Sequence, residues 1–132
     1  MERLTPRETE IMNVLWDRGP STVAEVRDAL DDGSAYTTIL TLMRVLEEKG
    51  IVTRRAEGKA HRYRALVRRE AARSRAVDGV LGQFFRGSAE LMLTQLVSRR
   101  DLDEDALLRL RALVDERLAE RDADASGEEG KE

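Results

Sequence analysis

The residues best suited to recognition chemistry lie in one short segment that combines hydroxyl and cationic side chains. Thr37, Thr41 and Arg44 recur at i, i+4 and i+7, which puts them on one side of a helix. Threonine can hydrogen-bond a base edge or offer its methyl group to thymine, and arginine can pair with guanine or a phosphate. Tyr36 and Thr38 accompany them. Such a helix fits a DNA major groove.

The same threonines could be ordinary solvated residues. Opening a helix with Tyr36, Thr37 and Thr38 is costly, however, because β-branched side chains lose rotational freedom there. This cost favours a groove-reading role over a solvated surface.

A second set of cations follows in a segment of strand character. The sequences IVTRR and AHRYRAL, joined by a link that contains Gly58, are typical of a β-hairpin. Its cations would contact the phosphate backbone beside the groove and release counterions on binding, although only two or three true contacts are expected. The candidates are Arg54, Arg55, Lys59, His61, Arg62 and Arg64.

The composition excludes most catalytic chemistry. The chain of 132 residues has no cysteine and a single histidine, His61. Thiolate nucleophiles, cysteine metal sites and histidine-rich metal sites are therefore excluded, and no glycine-rich phosphate loop is present. We expect no enzyme activity, no metal and no cofactor. No stretch is long and apolar enough to span a bilayer, so we also expect no membrane association and a cytoplasmic location.

The elements that must position these residues begin with two capping boxes. Thr5 with Glu8, and Thr22 with Glu25, each predict a helix start. A third helix is predicted over 35–49 from its buried-face spacing. Three short helices followed by a hairpin predict a winged helix-turn-helix head over 1–66, in a mostly α fold with a small β-hairpin.

Charge and apolar patterning separate the rest of the chain from this head. Residues 36–75 hold eleven Lys/Arg against four Asp/Glu, whereas residues 76–132 hold eight against fourteen. We predict a helical dimerisation domain over 67–121 and a disordered acidic tail over 122–132. An intramolecular cap on the head is the alternative to dimerisation. The predicted interface residues are Leu81, Phe84, Phe85, Leu91, Leu96, Leu107, Leu110 and Val114.

Three segments together resemble the penicillinase-repressor family of winged-helix transcriptional regulators (BlaI/MecI-type). They are LTPRETEIMNVLW, AYTTILTLMRVLEEKGIV and AHRYRAL, and the later VSRRDLDEDALLRLRALVDE resembles the family's dimerisation helices. The resemblance covers about residues 2–118. It implies a homodimer that represses genes by occupying a palindromic, inverted-repeat operator in duplex DNA. It also places the threonines and Arg44 in the reading helix, and Arg54, Arg55 and Arg62 on the wing.

The resemblance also implies a mode of relief, by a sensor-linked protease that cuts the second dimerisation helix. The family's best-known members are cut at an Asn-Phe bond, and the corresponding pair here is Gln95-Leu96. Val45 stands where family members often carry a basic residue. The copper-responsive branch of the family is excluded because it binds its metal through cysteines.

Two functions from different classes follow from the sequence. The first is a DNA-binding repressor without catalytic activity. The alternative is a winged-helix protein-interaction module that does not bind DNA, which the cationic segment over 36–75 disfavours.

Overall fold

A computed structural model describes residues 3–129, and the chain divides after Val80 into two compact units. The elements of the described residues are α1 (Pro6–Arg18), β1 (Ser21–Thr22), α2 (Val23–Leu30), α3 (Tyr36–Glu48), β2 (Val52–Glu57), β3 (Ala60–Ala65), α4 (Arg69–Phe84), α5 (Ala89–Val97) and α6 (Glu104–Glu129). The order α1-β1-α2-α3-β2-β3 is that of a winged helix-turn-helix, which confirms the predicted fold class. None of the described helices has the length and apolar character needed to cross a bilayer.

Both predicted capping boxes are present. The Thr5 hydroxyl accepts a hydrogen bond from the Glu8 backbone N–H at 3.1 Å, and the Glu8 carboxylate accepts one from the Thr5 N–H at 2.8 Å. Thr22 and Glu25 make the same reciprocal pair at 3.2 and 3.3 Å. These contacts satisfy backbone donors that the first turn of a helix leaves free, so they fix where α1 and α2 begin.

The sequence predicts a two-stranded hairpin, whereas the structure adds a third strand to form a small sheet. Strand β1 pairs antiparallel with β3, Ser21 opposite Tyr63 and Thr22 opposite Arg62, and the sheet order is β1-β3-β2. A strand of two residues has no alternation to detect in a sequence. Its pairing nevertheless ties the start of α2 to the wing.

The core of the first unit combines all three helices with the sheet. Ile11, Met12, Ile39 and Met43 are fully buried beside Tyr63 of β3. Trp16, which the sequence assigns to the core, is half-buried against this cluster, and its indole Nε1 donates to the Val67 carbonyl at 2.9 Å. The sheet therefore supports α1 and α3 through one shared apolar cluster.

One ionic contact crosses this core. The Glu8 side chain is 2% exposed, and both of its oxygens accept hydrogen bonds from the Lys49 ammonium at 2.9 Å. Burial alone would raise the pKa of Glu8, but the hydrogen bonds from the Thr5 backbone and Lys49 outweigh it and hold the pKa below its usual value. The pair joins the start of α1 to the end of α3.

The first unit extends beyond the predicted boundary at residue 66, because the start of α4 is held to α1. The Arg69 guanidinium forms an ion pair with Asp17 at 2.5 Å and lies 5.4 Å from the centre of the Trp16 ring. The first unit accordingly includes α4 from Arg69 to Val80.

The second unit, which begins at Leu81, contains no buried residue over 81–127. Its final helix, α6, is preceded by Asp103, whose carboxylate accepts a hydrogen bond from the Ala106 N–H at 2.8 Å. That helix continues to Glu129, whereas the sequence predicted a disordered tail from residue 122; residues 130–132 lie outside the described part. Ala123 and Ala125 extend a helix that is already nucleated upstream, and adding residues to an existing helix costs less than starting one.

We predict that Glu8→Gln lowers the free energy of unfolding by about 2–3 kcal/mol at pH 7, because Lys49 loses its charged partner. A carboxylate whose pKa falls on folding stabilises the native state above its unfolded value, which is near 4.5. That contribution disappears as the pH falls through the lower folded-state pKa. The difference between the variant and the native chain should therefore narrow in acid. Urea unfolding monitored by Trp16 fluorescence at several pH values measures it.

Glu48→Gln is the matched control, because Glu48 is exposed and has no hydrogen-bond or ion-pair partner among residues 3–129. It should leave the unfolding curve nearly unchanged. A Glu8→Gln chain as stable as this control at pH 7 would show that the buried pair contributes nothing.

Candidate nucleic-acid interface

Helix α3 presents its predicted reading residues on the side opposite the core. Ile39, Met43 and Leu46 are fully buried. At about 100° of rotation per residue, Thr37, Thr41 and Arg44 lie on the opposite side of the helix, and all three are exposed. The hydroxyl and guanidinium groups thus form one continuous strip along α3.

The hydrogen bonds along this strip decide what each side chain can offer. The Thr41 hydroxyl donates to the Thr37 carbonyl at 2.9 Å, so its methyl group and oxygen lone pairs remain for an outside partner. The Arg44 guanidinium has no hydrogen bond or ion pair with the described residues. All of its donors are therefore available for a planar acceptor pair.

Two predicted reading residues lie away from this strip. Tyr36 is turned toward α2, and the Arg27 guanidinium lies 6.0 Å from the centre of its ring. Thr38 is exposed but is rotated by about 100° from Thr37. Both border the strip without forming its centre.

Glu48 is on the strip, and the sequence reasoning did not include it. It is exposed and lies four residues after Arg44, at the end of α3. A carboxylate there can accept a hydrogen bond from a cytosine amino group but repels phosphate. The i, i+4, i+7 spacing that identified Thr41 and Arg44 continues four residues further on at Glu48.

The loop before α3 is held by ionic contacts rather than left open. Arg7 pairs with Asp32 at 2.6 Å and donates a hydrogen bond to the Ser34 hydroxyl. The Arg7 and Ser34 contacts hold the pKa of Asp32 well below its usual range. Ala35 provides no side-chain cap for α3, so the first-turn amides of α3 receive no side-chain acceptor from it.

On the wing, Arg62 is already engaged. Its guanidinium pairs with Glu57, with Glu25 of α2 at 3.0 Å, and with the Pro20 carbonyl at 3.0 Å. These partners raise the pKa of Arg62, and Arg62 in turn lowers the pKa of both carboxylates. The predicted phosphate contact is therefore also the tether between β3 and the start of α2.

The remaining basic residues of the wing include one with an acidic partner and four without one among the described residues. Arg54 lies beside Glu47 of α3, with 3.4 Å between the Arg54 Nε and a carboxylate oxygen. Four wing cations have no hydrogen-bond or ion-pair partner among residues 3–129. They are Arg55, Lys59, His61 and Arg64.

The hairpin turn sets how far these side chains reach. Glu57 and Ala60 are opposite each other, which leaves a loop of Gly58 and Lys59. Gly58 has φ +60°, and two-residue hairpin loops favour glycine where the backbone is left-handed. Lys59 is thereby held at the tip of the wing.

The second unit exposes the residues that the sequence assigned to an interface. Phe84 is 69% and Leu91 57% exposed, while Leu81 and Phe85 are half-buried. A groove of about 900 Å³ runs between α5 and α6. It is lined by residues that include Leu93, Leu96, Val97, Leu110, Leu113 and Val114. Leu107 of α6 is 39% exposed.

The proposed cleavage pair lies inside a helix. Gln95 and Leu96 belong to α5, and the Leu96 side chain lines the apolar groove. A protease needs an extended substrate, so α5 must unfold locally before this bond can be cut.

The chain is similar to several known proteins. The model of the penicillinase repressor family matches residues 4–116. The chain is 34% identical over 119 residues to a transcriptional regulator, BlaI, of Mycobacterium tuberculosis, covering 87% of this chain and 86% of that one. It is 21% identical over 116 residues to the methicillin resistance regulatory protein MecI of Staphylococcus aureus, covering 86% and 94%. A solved transcriptional regulator of Thermotoga maritima, Tm0710, aligns with a TM-score of 0.47 and 20% identity, covering 91% and 77%.

Proposed function

The chain belongs to the penicillinase repressor family, whose members are transcriptional repressors and not enzymes, and from this premise we propose that it binds an inverted-repeat operator in duplex DNA as a homodimer. The strip of Thr37, Thr41 and Arg44 is the observation that carries the proposal. It is exposed, faces away from the core, and keeps its outward donors and acceptors unpaired.

In this proposal α3 enters the major groove and reads base edges with its central strip. Arg44 pairs with guanine through two parallel hydrogen bonds, and Thr41 meets a thymine methyl group with its own methyl. Tyr36 and Thr38 contact the groove walls. These roles follow from the donors, acceptors and methyl groups that remain available on each side chain.

The wing contributes affinity that does not depend on sequence. Arg55, Lys59, His61 and Arg64 lack partners within the described chain and are the groups that would meet phosphates. Arg54 and Arg62 hold the wing against α3 and α2. We assign those two primarily to positioning, although the sequence analysis predicted phosphate contacts for both.

The second unit supports the homodimer. With no residue buried over 81–127 and leucines exposed along α5 and α6, it does not close a core within one chain. A second copy of the same unit supplies a self-complementary apolar surface under two-fold symmetry. Two reading helices would then lie about one helical turn of DNA apart, which matches an inverted repeat.

We also propose that repression is relieved when a sensor-linked protease cuts between Gln95 and Leu96. Cleavage there separates α6 from the rest of the chain and removes one wall of the groove. Mass spectrometry of the protein from induced cells should find a fragment that ends at Gln95. A chain that stays intact while repression is lifted would rule this route out.

Arg44→Ala and Thr41→Ala should each relax sequence preference, by about 1–3 kcal/mol where the contact is to a base. Selection of bound fragments from random duplexes by the native chain gives the operator. Fluorescence anisotropy with that operator and with single-base changes then measures the preference.

Arg111→Ala is the control, because Arg111 is exposed on α6 and has no ion pair within the described residues. It should leave the preference intact. If neither helix variant changes the preference, α3 is not the reading element; no binding to any duplex at low salt would instead favour a protein-docking role.

Arg55→Gln combined with Lys59→Gln should weaken binding to all duplexes alike. Each lost phosphate contact should reduce the slope of log K against log salt by roughly 0.9. The titration is repeated at four or five salt concentrations.

Arg62→Gln is the informative comparison for this wing variant. Because Arg62 holds Glu25 and Glu57, its loss should lower the thermal midpoint of the head and change the salt slope less. An unchanged slope in the Arg55/Lys59 double variant would show that the wing remains in solvent.

Leu96→Glu with Leu110→Glu should convert the dimer to a monomer by placing charge in the apolar groove. Sedimentation equilibrium measures the mass, and operator affinity should fall with it. Arg111→Glu, on the same helix, should remain dimeric. A native chain that sediments as a monomer at micromolar concentration would refute the homodimer.

A further inference from the structure

A separate pocket lies within the first unit, away from the α3 strip. It has a volume of about 610 Å³ and is formed by the segment before α1, by α1, and by α4 from Arg69 to Val80. This size is typical of sites for small organic ligands. Neither the reading strip nor the wing contributes a residue to it.

The charged residues that line this pocket are all positive. Its lining includes Arg3, Arg69, Arg73 and Arg75 but no aspartate or glutamate. Asp17 neutralises Arg69. Arg73 and Arg75 have no hydrogen-bond or ion-pair partner among residues 3–129. The pocket therefore keeps an excess of positive charge that its own walls do not balance, which favours an anionic ligand.

The floor of the pocket is apolar and includes an immobilised ring. Trp16 is held by the hydrogen bond from its indole Nε1 to the Val67 carbonyl and by the Arg69 guanidinium over its face. Leu4, Ala72 and Val80 complete this surface. A flat hydrocarbon group can pack on such a floor with little loss of side-chain entropy, because the indole is already fixed.

Two further residues of the lining favour ligand binding. One leaves space in the pocket and the other offers an unpaired polar group. Gly79 lines the pocket, and a Cβ built at this position would meet no atom within 4 Å. The Asn13 carboxamide also lines it and has no hydrogen-bond partner among the described residues. That amide can donate to a carboxylate beside the arginines.

We infer that this pocket binds a small organic anion with a planar apolar body and a carboxylate group. The body lies on Trp16 and the small residues of α4, and the carboxylate is held by Arg73, Arg75 and Asn13. This site does not depend on the proposed operator binding, and its test uses no DNA in its first step.

The test uses the full-length chain, in which Trp16 is the single tryptophan and so reports on the pocket directly. 4-Methylbenzoate is titrated while Trp16 fluorescence is recorded, and calorimetry supplies an independent affinity. We expect a saturable signal for 4-methylbenzoate and at least tenfold weaker binding of the neutral 4-methylbenzamide. Equal binding of the two, or no saturable signal, would overturn the inference.

The variants separate charge from shape. Arg73→Gln with Arg75→Gln should weaken 4-methylbenzoate binding at least tenfold, whereas Arg68→Gln, which changes an arginine outside the lining, should not. Gly79→Leu should fill the pocket and abolish binding without loss of stability, since leucine favours a helix more than glycine does. An equal effect of Arg68→Gln would overturn the site, as would Gly79→Leu without effect.

A final measurement distinguishes this site from a phosphate contact. The Arg73/Arg75 double variant is titrated with random duplex DNA at low salt, where we expect affinity within twofold of the native chain. A large loss of DNA affinity together with no response to 4-methylbenzoate would assign the arginines to the duplex and overturn the pocket.

Discussion

The head depends on a single buried carboxylate. Glu8 closes the capping box at the start of α1 and, with the same oxygens, binds the ammonium group at the end of α3. Because α3 carries the exposed strip, this ion pair also ties the strip's helix to the start of α1. Removing one partner of a buried pair is far more disruptive than the net contribution of the pair suggests.

The surface cations fall into two groups, those that pair with an acidic residue of the described chain and those that do not. Arg7, Arg54 and Arg62 each join two separate segments of the chain, through Asp32, Glu47 and Glu25. The arginines and the lysine without such partners are the ones left for an outside anion. A count of positive charge therefore overstates what is available for binding, and the ion-pair geometry corrects it.

Local patterns in the sequence were sufficient to predict where α1 and α2 start and which residues form the strip on α3. Thr5, Thr22 and the α3 residues at i, i+4 and i+7 can be identified from neighbours within seven residues, so their placement follows from spacing alone. Arg62 could not be assigned in this way, since Glu25 lies 37 residues away along the chain. Strand β1 exists only because β3 lies beside it, and the last turns of α6 persist without a buried face. Contacts between residues that are far apart in sequence could therefore not be predicted from local patterns.

The absence of buried residues over 81–127 has a consequence for how the protein responds to its own abundance. If burial of those leucines requires another copy, ordering of this unit is a bimolecular event, and its midpoint of thermal unfolding rises with the amount of chain. Occupancy of a two-fold target would then scale more steeply than linearly with expression. A modest dilution of the chain, as in a growing cell, would release the target disproportionately.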